Sequence, residues 1–403
     1  MQITRRDGLK GLAAGAAVVA MPAIVRADEK EIVVGAPNSL TGGLGEVGSR
    51  GAWGIELGAN QINKEGGIKS LGGAKLKVIV ADTTSENPTQ AASITRRMID
   101  QDGATVILGC SASAMTLAAQ VETEKSSIPL ITGSYADGIV KRGYKYTFKI
   151  SPQGGDVWNW MMTSGYELWK EIKGAPPKTA LIFQSNDAVG LVVQKLLPVH
   201  AKTLGLEVPF SQSFQMGLSD PSVAVAPVLR YKPDMIFLGG FTNDIILIIK
   251  ALRGVGVKAP IFGAGPAGTD SVGKGLGAAS DRYFAPMMWN WDLKTTGNKE
   301  LLEAYKASHP KDPYPPANEQ LGQGYTAAMI LRQALEKAAS RDPKTLREVL
   351  ASTEFTNLPM PAGKVKFGPD GLNVYNTPVL AEWLKGELRT VWPKASQAVQ
   401  PQI

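Results

Sequence analysis

Residues 106–115 read VILGCSASAM: an apolar run closed by glycine, then the chain's one cysteine, Cys110, with Ser111 and Ser113 beside it. Such a cluster can do three things. It can carry a nucleophile on a strand-to-helix turn, but the G-x-S-x-G elbow is missing, and neither histidine, His200 or His309, is placed to act as a base. It can cradle an anion, because serines at a helix start sit beside unpaired backbone N–H groups and the positive end of the helix dipole. Or Ser111 or Ser113 can simply cap the helix, a role compatible with the second. Cys110 reads as a small buried hydrophobe, with a lowered-pKa thiol near the helix start as the alternative. Neither histidine has a nearby metal-ligand partner in sequence, so a zinc site and a Ser–His–Asp hydrolase are both poorly supported.

The elements that must position this cluster alternate along the chain. Strands are expected at 31–36, 75–82, 104–109 and 128–133, and helices at 51–66, 88–101 and 115–126. The pattern then restarts, with strands at 178–184, 207–214, 234–240 and 259–265 and helices near 190–204, at 219–231 and at 244–256. Helices at 321–340 and 345–352 follow. The segments 363–372 and 377–388, with a PDG turn signal, read as an antiparallel pair. Alternation of this kind implies α/β architecture with two doubly wound parallel sheets, whose strand ends and polar loops surround a common cleft. The loops that face it are expected at 37–47, 82–87, 110–113, 134–137, 184–189, 241–244 and 264–270.

A chain of 403 residues suits two lobes better than one domain, and 44% hydrophobic content supplies their cores. Residues 1–27 read as a signal: TRRDGLK, a short apolar stretch, then a small-residue end with Val25 and Ala27 at the −3 and −1 positions of a cut before Asp28. Arg5–Arg6 followed by Leu9–Lys10 resembles the twin-arginine export motif, with an ordinary secretion signal as the alternative. Its removal takes away four basic residues and one acidic one, and the net charge falls from +7 to +4. That excess is dispersed, so nucleic acid is not an expected partner. No later segment offers the ~18 uninterrupted apolar residues of a membrane span. One cysteine leaves no internal disulfide. A soluble mature protein in the periplasm is expected.

The segment IVVGAPNSLTGGLGEVGSRGAWGIELGANQINKEGGI (32–68) resembles the opening of type I periplasmic solute-binding proteins of the branched-chain amino-acid group. VIVADTTSENPTQAAS, ATVILGCSASAMTLAAQ, IPLITGSYADGIVKRGY and DMIFLGGFTNDIILIIKALRGVGV continue the match in order, over about 31–390. The resemblance implies two lobes joined by a three-strand hinge: 31–149 plus 286–357, and 150–285 plus 358–392, with a tail at 393–403. It also implies a non-enzymatic receptor that acts as a monomer, uses no cofactor or metal, and closes on a small solute for the permease of an ABC importer. A ligand-sensing module for a signalling receptor and, further off, an exported hydrolase using Ser111 or Ser113 stand as alternatives.

The same resemblance implies a ligand-binding set. Ser113, with Ser111 beside it, falls where the family holds the ligand carboxylate. Ser134, Tyr135 and Ala136 fall where it presents backbone and a threonine, and Tyr135 either contacts ligand or packs on the lobe. Phe241 and Thr242 fall on an aromatic wall, with core packing as the alternative for Phe241. Trp289 or Trp291 lines the cleft mouth or packs at the hinge. Gly265 stands where amino-acid binders carry a glutamate for the ligand ammonium. Either Asp187, Asp244 or Asp270 replaces that charge, or the solute lacks an ammonium, since burying one unpaired is costly. Ser85 stands where some members have the cysteine that would pair near Cys110. A carboxylate, an amide or an amino acid is the expected class of solute.

Overall fold

The longest apolar runs become central strands buried on both faces, as parallel sheets demand. A computed structural model describes residues 31–311 and 317–403; the expected signal segment, with Arg5, Arg6 and the Ala27–Asp28 junction, lies outside the described residues. In the first lobe β1 (Glu31–Asn38), α1 (Gly45–Lys64), β2 (Lys75–Asp82), α2 (Pro88–Asp100), β3 (Val106–Leu108), α3 (Ser113–Ser126), β4 (Leu130–Thr132) and β5 (Thr147–Lys149) follow one another. All five strands are parallel, in the order β2-β1-β3-β4-β5. The second lobe restarts with α4 (Gly154–Lys173), β6 (Thr179–Ser185), α5 (Ala188–Thr203), β7 (Glu207–Phe214), α6 (Ser222–Tyr231), β8 (Met235–Gly239), α7 (Thr242–Gly254), β9 (Ile261–Phe262), α8 (Asp270–Leu276) and β10 (Tyr283–Met287). Its parallel strands repeat the order as β7-β6-β8-β9-β10.

The chain then returns to the first lobe. After α9 (Thr296–Ser308), α10 (Glu319–Ala338) packs along α1, and α11 (Pro343–Ser352) packs on α10. The α1–α10 seam is closed by glycine. A Cβ on Gly54 would lie 2.1 Å from the Leu321 carbonyl oxygen, and one on Gly324 would lie 2.2 Å from that of Gly51, so neither helix tolerates a side chain there. Asn87, Asn318 and Asp342 cap α2, α10 and α11, with proline opening α2 and α11. Among the described residues no helix is long and apolar enough to cross a membrane.

Two expectations change at the C-terminal end. Segments 363–372 and 377–388 do not pair with each other. Instead β11 (Glu354–Thr356) pairs with β12 (Lys364–Lys366), and PDG makes a small turn bridging Phe367 and Asn373. The hairpin proper is β13 (Val379–Leu384) with β14 (Glu387–Trp392), turning at Lys385–Gly386, and it adds antiparallel to β10. The chain also does not leave the first lobe at 358: Phe367 packs on Phe148, and Leu372 bridges Lys149. It joins the second sheet only at Val379.

β13 carries a buried carboxyl group. Glu382 has no exposed surface; one carboxylate oxygen accepts from the Gln402 N–H at 2.8 Å, and the other has no partner. Burial pushes its pKa up to about 8. A carboxyl whose folded pKa lies above its ordinary value favours the folded state below that ordinary value. This contribution fades as pH rises through 8. Urea unfolding is therefore expected to show a loss on the order of 2–4 kcal/mol between pH 5 and pH 8 that Glu382→Gln removes. A slope unchanged by the substitution would assign it elsewhere.

Candidate functional site

Both sheets turn their C-terminal strand ends toward each other, because the chain crosses between lobes from those ends: from β5 into α4, and from β10 toward α9. Each sheet reverses its winding once, between β1 and β3 and between β6 and β8. In doubly wound sheets the crevice at that reversal is where ligands bind. The loops there are 109–113 in the first lobe, and 184–187 and 239–242 in the second. The lobes touch beside this crevice, where Ser271 donates to the Glu46 carboxylate and the Ala317 N–H donates to Asp270 at 2.8 Å.

The first-lobe edge is built on α3. Its N-cap is Ala112, and no side chain caps the helix. The capping role open to Ser111 and Ser113 is thus not taken by either. Ser111 Oγ donates to Asn38 Oδ1 at 2.7 Å and lines a small recess of about 20 Å³ with Gln323 and Asn38. Ser113 Oγ instead accepts the Ala136 N–H at 3.1 Å. With that acceptor position filled, its own proton is left to donate. Cys110 is fully buried, and burial pushes its thiol up to about 12, so the sulfur stays neutral rather than lowered at the helix start. Ser85, opposite it in expectation, ties the 41–44 loop by accepting from the Leu44 N–H at 2.9 Å.

The 134–137 loop meets this edge. Ser134 is buried inside it rather than presented: its hydroxyl bonds the Cys110 carbonyl at 2.7 Å, and Thr116 Oγ1 lies at 2.7 Å. Its carbonyl accepts from Ser151 Oγ. Beneath the loop lies Lys149, a lysine with no exposed surface at the end of β5, whose ammonium donates to the carbonyls of Tyr135 (2.9 Å) and Ala136 (3.1 Å). Burial lowers its pKa to about 8, against the opposing pull of Asp137 and Asp156. Tyr135 is no free aromatic wall. Its hydroxyl donates to Glu319 Oε1 at 2.6 Å and receives Gln323 Nε2 at 3.3 Å, and the other Glu319 oxygen accepts the Met288 N–H at 2.7 Å. Burial raises the pKa of Glu319, and burial beside Glu319 raises that of Tyr135.

On the facing edge, Thr242 opens α7 behind an N-cap of Phe241, again without a side-chain cap; Phe241 is 40% exposed. Gly265 is exposed, has φ +72°, and nothing stands where its Cβ would be. The three acids weighed as replacements for a carboxylate there are engaged. Asp187 caps α5 through the N–H groups of Val189 and Gly190 and accepts from Ser185. Asp270 holds Ala317 and pairs with Lys274. Asp244 is buried and accepts the Leu218 N–H, leaving one oxygen without a partner. Trp289 is core, not cleft mouth: 1% exposed, with its indole N–H on Asn298. Trp291 lies under Arg389. Thus Ser113, Tyr135 and Ala136 stand on one edge and Asp187, Phe241, Thr242 and Gly265 on the other, while Ser134 is an internal support and half-buried Ser111 is tied to Asn38. Lys149, Glu319 and Gln323 escaped the sequence reading; only a glutamate at a helix start hinted at one of them.

A family model described as periplasmic binding protein matches residues 31–386. Leu/Ile/Val-binding protein homolog 8 of Brucella abortus is 26% identical over 382 residues, covering 90% of this chain and 91% of the relative. Homolog 7 from the same organism is 26% identical over 401 residues, covering 94% and 96%. Among solved structures, the leucine-binding protein LivK of Thermotoga maritima superposes with a TM-score of 0.74 at 21% identity, covering 90% of this chain and 98% of its own. LivJ of Streptococcus pneumoniae, solved with isoleucine, gives 0.74 at 22%, covering 92% and 100%. The type I periplasmic binding fold is common to them and this chain.

Removing the Lys149 ammonium takes a charged donor from both carbonyls of the loop that carries Ala136, leaving Tyr135 only the Gly154 N–H and Ala136 only the Ile139 N–H. Lys149→Met is expected to cost about 2–4 kcal/mol in urea unfolding and to speed amide exchange at residues 134–137. Wild-type exchange in that loop would show that the lysine does not hold it.

Proposed function

The chain belongs to the periplasmic binding protein family, and on that premise, with the likeness to Leu/Ile/Val-binding relatives as support, we propose that it binds a small carboxylate-bearing solute between its lobes and delivers it to the permease of an ABC importer. The observation that carries the reading is the uncapped start of α3, where Ser113 has an acceptor position filled by Ala136 and a proton left to give. Free N–H groups at a helix start, the dipole behind them and a serine hydroxyl together suit a carboxylate. Phe241, exposed on the opposite edge, offers an apolar wall for the rest of the solute. Closure of the lobes is the mechanism, since each holds half of the contacts.

The solute we favour has no α-ammonium. Gly265 supplies no charge, and Asp187, Asp270 and Glu319 are already committed to backbone and hydroxyl donors. An ammonium would have to displace those bonds or pair with the buried Asp244. Calorimetric titration with leucine, phenylalanine, 4-methylpentanoate and 3-phenylpropanoate separates the cases. The deaminated acids are expected to bind, and Ser113→Ala is expected to weaken them by about 1–2 kcal/mol with the melting temperature nearly unchanged. Tight leucine binding abolished by Asp187→Asn or Asp244→Asn would reverse the ligand assignment, and unaltered affinity in Ser113→Ala would remove that serine from the site.

Export by the twin-arginine route, with cleavage before Asp28, belongs to the same proposal. Replacing Arg5 and Arg6 by lysine is expected to abolish the periplasmic pool of the protein in a fractionation experiment; an undiminished pool would assign the ordinary secretory route.

A further inference from the structure

The 134–137 loop is bonded directly to the first segment that joins the lobes, and through Lys149 and Glu319 it is linked to the other two. At the first crossing, residues 150–153, Ser151 Oγ donates to the Ser134 carbonyl at 2.7 Å. There too the Gly154 N–H, which opens α4 of the second lobe, lies 2.9 Å from the Tyr135 carbonyl and 3.0 Å from Asp137 Oδ1. At the third crossing, Asn373 donates its N–H to the Lys149 carbonyl at 2.9 Å, and the Lys149 N–H donates to Gly371 at 2.8 Å. Lys149 in turn holds the loop from below. The second crossing begins at Met288, directly after β10, and is reached only through a side chain: Glu319, on the first turn of α10 in the first lobe, takes the Met288 N–H with one oxygen and the Tyr135 hydroxyl with the other.

We infer that Glu319 is a positioning residue which locks the second crossing to Tyr135 and thereby sets the resting angle between the lobes. A carboxylate has two oxygens, and here each serves a donor from a different body: Met288 continues the second sheet, while Tyr135 belongs to the first lobe's loop. No neutral side chain of that size accepts from both donors. A glutamine accepts with one atom only, and Tyr135 already receives the Gln323 amide, so its own proton would lose its acceptor. Displacing Ala136, which adjoins Tyr135, therefore pulls on the hinge through one carboxylate. The inference concerns the hinge and stands whether or not Ser113 anchors the solute.

The test uses the full-length mature chain without solute. Spin labels are placed on cysteines substituted at exposed Gln101 and Lys202, one in each lobe, and the distance between them is measured by pulsed electron resonance; Cys110 is buried and stays unlabelled. Tyr135→Phe and Glu319→Ala are each expected to shift the interlobe distance and to widen its distribution about twofold. The double variant is expected to match the single ones, since they remove one shared link. Wild-type distances in both variants, with or without a lowered melting temperature, would reduce Glu319 to a stabilising residue and overturn the inference. Additive effects in the double variant would overturn it as well. If Glu319→Ala does not fold, Tyr135→Phe, which deletes a single oxygen, decides alone.

Discussion

A buried ammonium organises the middle of the molecule. Lys149 ends β5 with no exposed surface, and a desolvated lysine persists in its charged form only where acceptors surround it. Here the acceptors are two consecutive carbonyls of one loop, with Asp137 and Asp156 as the nearby negative charges. The loop must therefore bend over the strand end, its carbonyls down. That geometry leaves the Ala136 N–H directed at Ser113 and the Tyr135 side chain directed at α10. The same lysine's backbone carries the bonds to 371 and 373, so the strand that leaves the lobe and the strand that returns to the second sheet are spaced by a single residue.

Topology does the rest of the placing. The two lobes repeat one strand order, and in each the third strand feeds a helix with an apolar N-cap, Ala112 before α3 and Phe241 before α7. Neither N-cap side chain satisfies the first-turn N–H groups, which are left for solvent or for whatever enters between the lobes. The helix after β6 is different, since Asp187 closes its N-terminus and cancels part of its dipole. Of the two uncapped helices, α3 has no acid in its first turn whereas α7 carries Asp244 there, which is a reason in electrostatics for an anionic group to sit toward α3.

Legibility in the sequence followed locality. β2 and β7 occupy the residues their apolar runs announce, and α10 and α11 lie within two residues of expectation. α4 was readable as well, with Val157, Trp158, Met161, Met162, Gly165 and Leu168 buried at helical spacing, yet it fell in the gap between the two alternating sets. The PDG signal marked a true turn but not its partners, because turn chemistry fixes a reversal and not which strands flank it. Lys385–Gly386, both at positive φ, held the hairpin without an Asn-Gly or Asp-Gly signature. In the site, the place of Ser113 at the start of α3 was legible because it depends on its neighbours in sequence, whereas its bond to Ala136, 23 residues on, was not. Glu319 was not, since its partner Tyr135 lies 184 residues away and a glutamate at a helix start ordinarily means only a favourable dipole. A lysine ending a strand likewise reads as solvent-facing until its carbonyl partners are seen.

The single thiol has one more implication. Cys110 sits at the C-terminal end of β3, beneath the Ser134 and Thr132 hydroxyls that hold its carbonyl, with no surface open to solvent. A thiol so placed reacts with an external reagent only when the strand edge around it comes apart. Its modification rate is therefore a clock for the opening of the first lobe, blind to lobe rotation and to the state of the second lobe, and it comes built into the native chain.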